Sequence, residues 1–300
     1  MPHVIAIEDD TAIALPELVE RLSQTGFHPA DEDNLAESAR LLRQLHNNRD
    51  FLADIFLDEL ASRHREEKGG NAYGPQAFML SAPGTANFFL RANIWPSRDE
   101  HMYRASGDGS FVYGLPHDHN FNFLTLGYFG PGYRSDYYEF DYEDVTGWRG
   151  EPVNLRFIEQ GQLELGKVQL YRAHLDVHRQ LLPEALSVSI NIMHTCGAQG
   201  WLDQYAFDLE GGTLSRILSA GSSEAFMRVA VGLGGEEALD LAYRFGRLHP
   251  SDRMRLVAWG ALAGAARDEG ARDAVWREAE GAGSRLVSAE ARLRRAALVA

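Results

Sequence analysis

Between residues 71 and 200 the chain falls into short runs rich in aromatic and β-branched residues, cut at near-regular intervals by glycine and proline. QAFMLSA, NFFLRANIW, SFVYG, NFNFLTLGYF, SDYYEFDYED, VNLRFIE, GKVQLYRA and LSVSINIM all read as strands. Short strands in such a series predict a closed or double-layered β architecture. NFNFLTL alternates cleanly, with Phe121, Phe123 and Thr125 on one face and Asn122, Leu124 and Leu126 on the other. GPGYRS reads as a turn between two strands. GQLELG reads as a hairpin return with its glycines at positive φ.

The flanks have a different period. In 1–70, Leu15, Leu18 and Leu22 keep helical spacing, as do Leu35, Leu41, Leu42 and Leu45, and then Phe51, Leu52, Ile55, Phe56 and Leu60. Asp33 and Asp50 are plausible N-caps. The charged RHREEK closes this zone and Gly69-Gly70 breaks it. In 201–300, SSEAFMRVAVGL, GEEALDLAYRFGRL, PSDRMRLVAWGALAGAARD and ARDAVWREAEGAGSRL are helical patterns, with starts at Ser222 to Glu224 and at Ser251. Apolar stripes through Phe226, Val229, Leu233, Leu239, Leu241, Val257 and Leu262 are most simply the core of a helical domain. They also leave room for a homodimer contact or a docking partner. The expected organisation is therefore a mainly β fold, with a β-barrel at 71–200 flanked by a helical segment at 1–70 and a helical domain at 201–300.

Composition excludes several classes. A net charge of −14 with no concentrated basic stripe argues against nucleic-acid binding. The lone Cys196 rules out an internal disulfide or a multi-cysteine zinc site and reads as a small buried hydrophobe. No run of about 18 apolar residues is present, so no membrane span is expected. The N-terminus meets acidic residues at once and lacks the basic start of a secretory signal, which gives a cytoplasmic expectation.

The chemistry concentrates in Leu115-Pro116-His117-Asp118-His119-Asn120. On a strand, residues two apart share a face, about 6–7 Å apart, so His117 and His119 can converge on one ion. Asp118 then points the other way, toward a turn or surface role. Imidazole suits iron, copper, nickel and zinc. The later run VQLYRAHLDVHRQ offers His174 and His178, which share a face if the strand is regular. One can ligate while the other orients a ligand or the substrate. A surface HxH pair is the plain alternative, but four histidines in two strand-like segments favour metal.

GLPHDHNFNFLTLGYFGPGYRSDYYEFD followed by GQLELGKVQLYRAHLDVHRQLLPEALSVSINIM resembles the three-histidine, cysteine (thiol) dioxygenase branch of the cupins. The resemblance runs from near Phe88 to near Met193. It implies a double-stranded β-helix, or jelly roll, around a mononuclear non-haem Fe(II), with Zn, Ni, Cu or Mn as other occupants. By position it implies His117, His119 and His178 as ligands, with His174 beside them. It also implies Arg91 as a grip for a substrate carboxylate. Where many cupins carry a fourth, glutamate ligand, this chain has Phe123 and Leu124, and Glu139 is only a weak substitute. Leu124 and Met193 stand near the positions of the Cys–Tyr crosslink some members form, so none is expected. The 2-oxoglutarate oxygenase pattern needs a carboxylate where His119 stands.

The expected activity is an Fe(II)-dependent oxygenase or oxidase using O2 on a small-molecule, amino-acid-derived or peptide substrate. His174, Tyr171 and Arg91 are its candidate catalytic helpers, with Arg172, Tyr103 and Tyr113 behind them. Two other functions fit the same residues. One is a non-catalytic cupin that binds a ligand and signals through the helical ends. The other is a Zn- or Ni-dependent isomerase or hydrolase.

Overall fold

The protein is described by a computed structural model covering residues 2–63, 74–81 and 86–299. The charged run after Arg63 and the Gly69-Gly70 break lie outside the described residues. The N-terminal part gives β1 (His3–Ile5), α1 (Leu15–Thr25), α2 (Glu32–Asn47) and α3 (Phe51–Arg63). The central part gives β2 (Ala77–Ser81), β3 (Phe88–Trp95), α4 (His101–Ser106), β4 (Phe123–Phe129), β5 (Arg134–Glu139), β6 (Arg156–Gln162), β7 (Val168–Tyr171), β8 (Asp176–Gln180) and β9 (Ser187–His194). There follow β10 (Tyr205–Asp208), β11 (Thr213–Ile217), α5 (Ser222–Gly232), α6 (Glu236–Leu248), α7 (Asp252–Gly264), α8 (Glu269–Glu280) and α9 (Arg285–Val299). With about 42% helix against 23% strand the fold is mixed, and "mainly β" describes its centre alone.

The strands form an antiparallel six-stranded sheet, β1-β7-β4-β9-β3-β2, a three-stranded sheet, β6-β5-β8, and the pair β10-β11. The six-stranded sheet has two faces of different chemistry. Even-numbered residues, Leu90, Ala92, Leu124, Leu126, Leu170, Ile190 and Ile192, join one apolar core with Leu18, Leu22, Leu42 and Leu45 of α1 and α2. Burying each such side chain contributes about 1.5–3 kcal/mol, so this layer is the main anchor of the sheet. Odd-numbered residues point the other way. There Phe123, Tyr171 and Met193 cluster with Tyr137 of the three-stranded sheet. Odd residues such as Gln169, Ser189 and Asn191 are buried as well, so both faces are covered.

Local chemistry sets the element ends. The cap of α2 is Asp31, whose carboxylate accepts from the Asn34 amide, so Asp33 falls inside the helix. Ser251 caps α7 by accepting from the Met254 amide. Gly130 and Gly132, at φ 75° and 80°, turn the chain from β4 in one sheet to β5 in the other.

Several expected elements differ. SFVYG is a turn, with Val112 at φ 59°, not a strand. GQLELG is no hairpin, because β6 and β7 belong to different sheets; only Gly166 has positive φ, and Gly161 lies within β6. The run through His174 and His178 is two strands, split at a turn where His174 takes φ 59°. The C-terminal region also carries a fifth helix, α9.

The chain divides into two compact units: Met1–Tyr142 with Asn154–Gln199 and Ala206–Gly212, and Glu143–Val153 with Gly200–Tyr205 and Thr213–Ala300. The second has its own core of Ala258, Trp259, Leu262, Trp276 and Val287. Met227 and Val231 are the buried side chains of α5, whereas Phe226, Val229 and Leu233 are exposed rather than core. Among the described residues no helix is long and apolar enough to cross a membrane.

Candidate metal centre

His117 stands in an extended segment ahead of β4 and pairs as an isolated bridge with His178 of β8. Each backbone amide donates to the other's carbonyl at 3.0 Å, which fixes the two side chains next to each other. His119 follows two residues on, and its carbonyl accepts from the His174 amide at 2.9 Å. The ring centroids of His117 and His119 lie 4.9 Å apart, closer than the strand rise alone suggests.

All three imidazoles are buried, and one nitrogen of each lies within 4.8 Å of the others. His178 Nε2 is 2.9 Å from His119 Nε2 and 3.2 Å from His117 Nε2. Two nitrogens each about 2.0–2.1 Å from one ion are about 2.9–3.4 Å apart for angles from a right angle to tetrahedral, so the spacing fits a shared cation. The protons point the same way. His117 Nδ1 lies 2.9 Å from the Leu115 carbonyl, so it carries the hydrogen and Nε2 is left as a lone pair. A single proton on His178 Nε2 serves only one of the two imidazole nitrogens beside it, whereas a cation serves all three rings.

Burial keeps these rings neutral. It lowers the pKa of His117 to about 4, against the opposing hydrogen bond to Leu115. Burial, together with positive charge on His117, holds His178 well below the usual histidine range. His119 is held well below it by burial and then by positive charge on His117, His178 and Arg91. Neutral imidazole is the form that ligates.

Aromatic rings wall the cluster. Phe121 and Phe123 lie 4.9 Å from His119, and Tyr171 lies 4.7 Å from His178 and stacks on Phe123. The Tyr171 and Tyr137 hydroxyls are 3.2 Å apart, and burial raises the pKa of both.

The expected residues thus separate. His117, His119 and His178 come together, with Tyr171 beside them. Arg91, on the inward face of β3, is near enough for its charge to act on His119. His174 does not share the face of His178; its ring packs 4.3 Å from Tyr142. Arg172 bonds Asp176 and Glu139, clamping the β7–β8 turn and also occupying the carboxylate considered as a ligand. Tyr103 bonds Asp108 and Tyr113 bonds the Pro96 carbonyl, within an aromatic cluster around Trp95. Asp118 is fully buried, not a surface contact, and Cys196 is exposed, not a core residue.

Gln180, whose Nε2 is 3.2 Å from His178 Nε2, was not among the expected residues. Its signal was available, since it follows His178 by two on the same strand face. No family model matches the chain, and no curated protein is similar to it in sequence.

Proposed function

We propose that the protein is a mononuclear metal-dependent oxygenase or oxidase of the cupin type, with iron(II) held by His117, His119 and His178. The observation that carries this reading is the convergence of three buried imidazole nitrogens, at 2.9 and 3.2 Å, with no carboxylate in the ligating set. Two antiparallel sheets with facing inner surfaces support a jelly-roll assignment.

Iron(II) bound there would supply open coordination positions and redox chemistry with O2. The residues around it supply the rest. Three neutral ligands leave the ion's charge uncompensated, which favours a substrate that binds through an anionic group. Arg91 adds positive charge on the same side. Phe121, Phe123 and Tyr171 exclude water from the His119–His178 side. The Leu115 carbonyl holds His117 in the Nδ1–H tautomer that presents Nε2.

The test is anaerobic reconstitution with Fe(II), followed by O2 uptake with small thiols, amino acids and hydroxy acids. Stoichiometric iron with substrate-dependent uptake is the expected result. A chain that takes up no metal, or takes up zinc and consumes no O2 with any of them, overturns the reading.

A further inference from the structure

The inward faces of the two sheets carry buried polar side chains. Across the six-stranded sheet, Gln169, Thr125, Asn191 and Arg91 stand opposite one another in a single register row over β7, β4, β9 and β3. Asn93 lies two residues from Arg91 on the same face. On the three-stranded sheet, Ser135 of β5 stands opposite Gln180 of β8, one step along from the Tyr137–His178 pair. Tyr137 reaches Gln169 at 3.5 Å and Tyr171 lies against His178, so these two faces look at each other beside the histidines.

Thr125, Asn191, Gln180 and Asn93 are 0%, 2%, 4% and 8% exposed. Yet Thr125 Oγ1, Asn191 Nδ2, Gln180 Oε1 and Asn93 Oδ1 have no hydrogen-bond partner among the described residues. A stranded buried polar atom costs about 1–3 kcal/mol, and natural proteins leave few of them. Four gathered on two facing surfaces beside a metal-ligating set mark a place where something polar belongs.

We infer that these residues form the substrate subsite of the centre and that the substrate is a small hydroxylated compound, an anionic hydroxy acid rather than an apolar one. The inference rests on the metal reading above only for the end of the substrate that meets the ion. The four groups mix donors and acceptors: an amide nitrogen, two carboxamide oxygens and one rotatable hydroxyl. A ligand hydroxyl donates and accepts at one atom, so a chain of hydroxyls satisfies this set however the amides are turned. An alkyl chain satisfies none of it. The four contribute no charge, while Arg91 in the same row favours an anionic ligand.

The experiment uses the full chain with and without cobalt(II). Cobalt uptake is read separately by its visible spectrum, so failure of the metal centre is seen independently. Glycerate, threonate and gluconate are each compared with the unhydroxylated carboxylate of the same length, by thermal shift and calorimetric titration. A preference of about tenfold or more for the hydroxylated member of at least one pair is expected, the worth of one or two buried hydrogen bonds. Thr125→Val should remove most of that preference without changing cobalt affinity, and should leave the melting temperature equal or higher. Equal or better binding of the unhydroxylated acids, or no binding of any hydroxy acid to either form, overturns the inference. So does a Thr125→Val protein that keeps the full preference.

Discussion

His117 is held by three separate contacts, which makes it the reference point of the site. Its backbone bridges His178, its Nδ1 meets Leu115, and its Nε2 faces the other two rings. His119→Ala or His178→Ala should lower cobalt or zinc affinity by more than about 100-fold, since loss of even an outer contact commonly costs about 10–100-fold. His174→Asn, a residue that tolerates positive φ, should leave affinity within about threefold, because that ring faces Tyr142. Chelator competition reads both; equal losses in all three variants would return His174 to the ligand set. Acid should act late. Protons compete with a metal only below the pKa of the free ligands, and burial brings that of His117 to about 4. Metal should therefore stay bound as pH falls through 6.5 and leave only as it approaches 4, in a titration followed by cobalt absorbance.

The alternation that defines β3, β4, β7 and β9 was legible in the sequence, and so was the HxH spacing that brings His117 and His119 together. What the polar half of the alternation faces was not. A period of two looks the same whether the polar side meets water or the protein interior, and here Thr125 and Asn191 are buried. The turn that removes His174 from the site was hidden for a related reason. Its residues, Ala173-His174-Leu175, include none of the usual turn formers, and the bend is held by Arg172 on Asp176. The Gly130–Gly132 turn, by contrast, announces itself. A Cβ on Gly132 would run into the Leu163 carbonyl, and its φ is +80°. Gly132→Ala should cost more than about 3 kcal/mol, combining the left-handed penalty with a backbone clash. Asp31→Ala should cost only about 1 kcal/mol, the loss of one cap. Denaturant midpoints of the two variants would reveal a reversed order, which would mean that the β4–β5 crossing yields to a Cβ despite its close approach to Leu163.

For the whole molecule, acid sensitivity has a cause outside the metal set. His46 of α2 is 2% exposed, and burial lowers its pKa to about 4, with the charges of Arg49 and Arg43 acting in the same direction. The unfolded chain takes up this proton near pH 6.5, the folded chain only near 4. Between those values the unfolded state binds more protons, so stability falls as pH drops through that window. A gap of that size corresponds to a loss on the order of 3 kcal/mol once the ring is charged, a substantial share of the stability of a natural protein. His46→Gln carries no titrating ring, so its stability curve should be flatter between pH 6.5 and 4 than that of the parent, whatever its level at pH 7. The comparison is made on metal-free protein, by urea unfolding at several pH values, so that metal release does not contribute. Parallel curves for parent and variant would move the acid response elsewhere, to His117 and its neighbours.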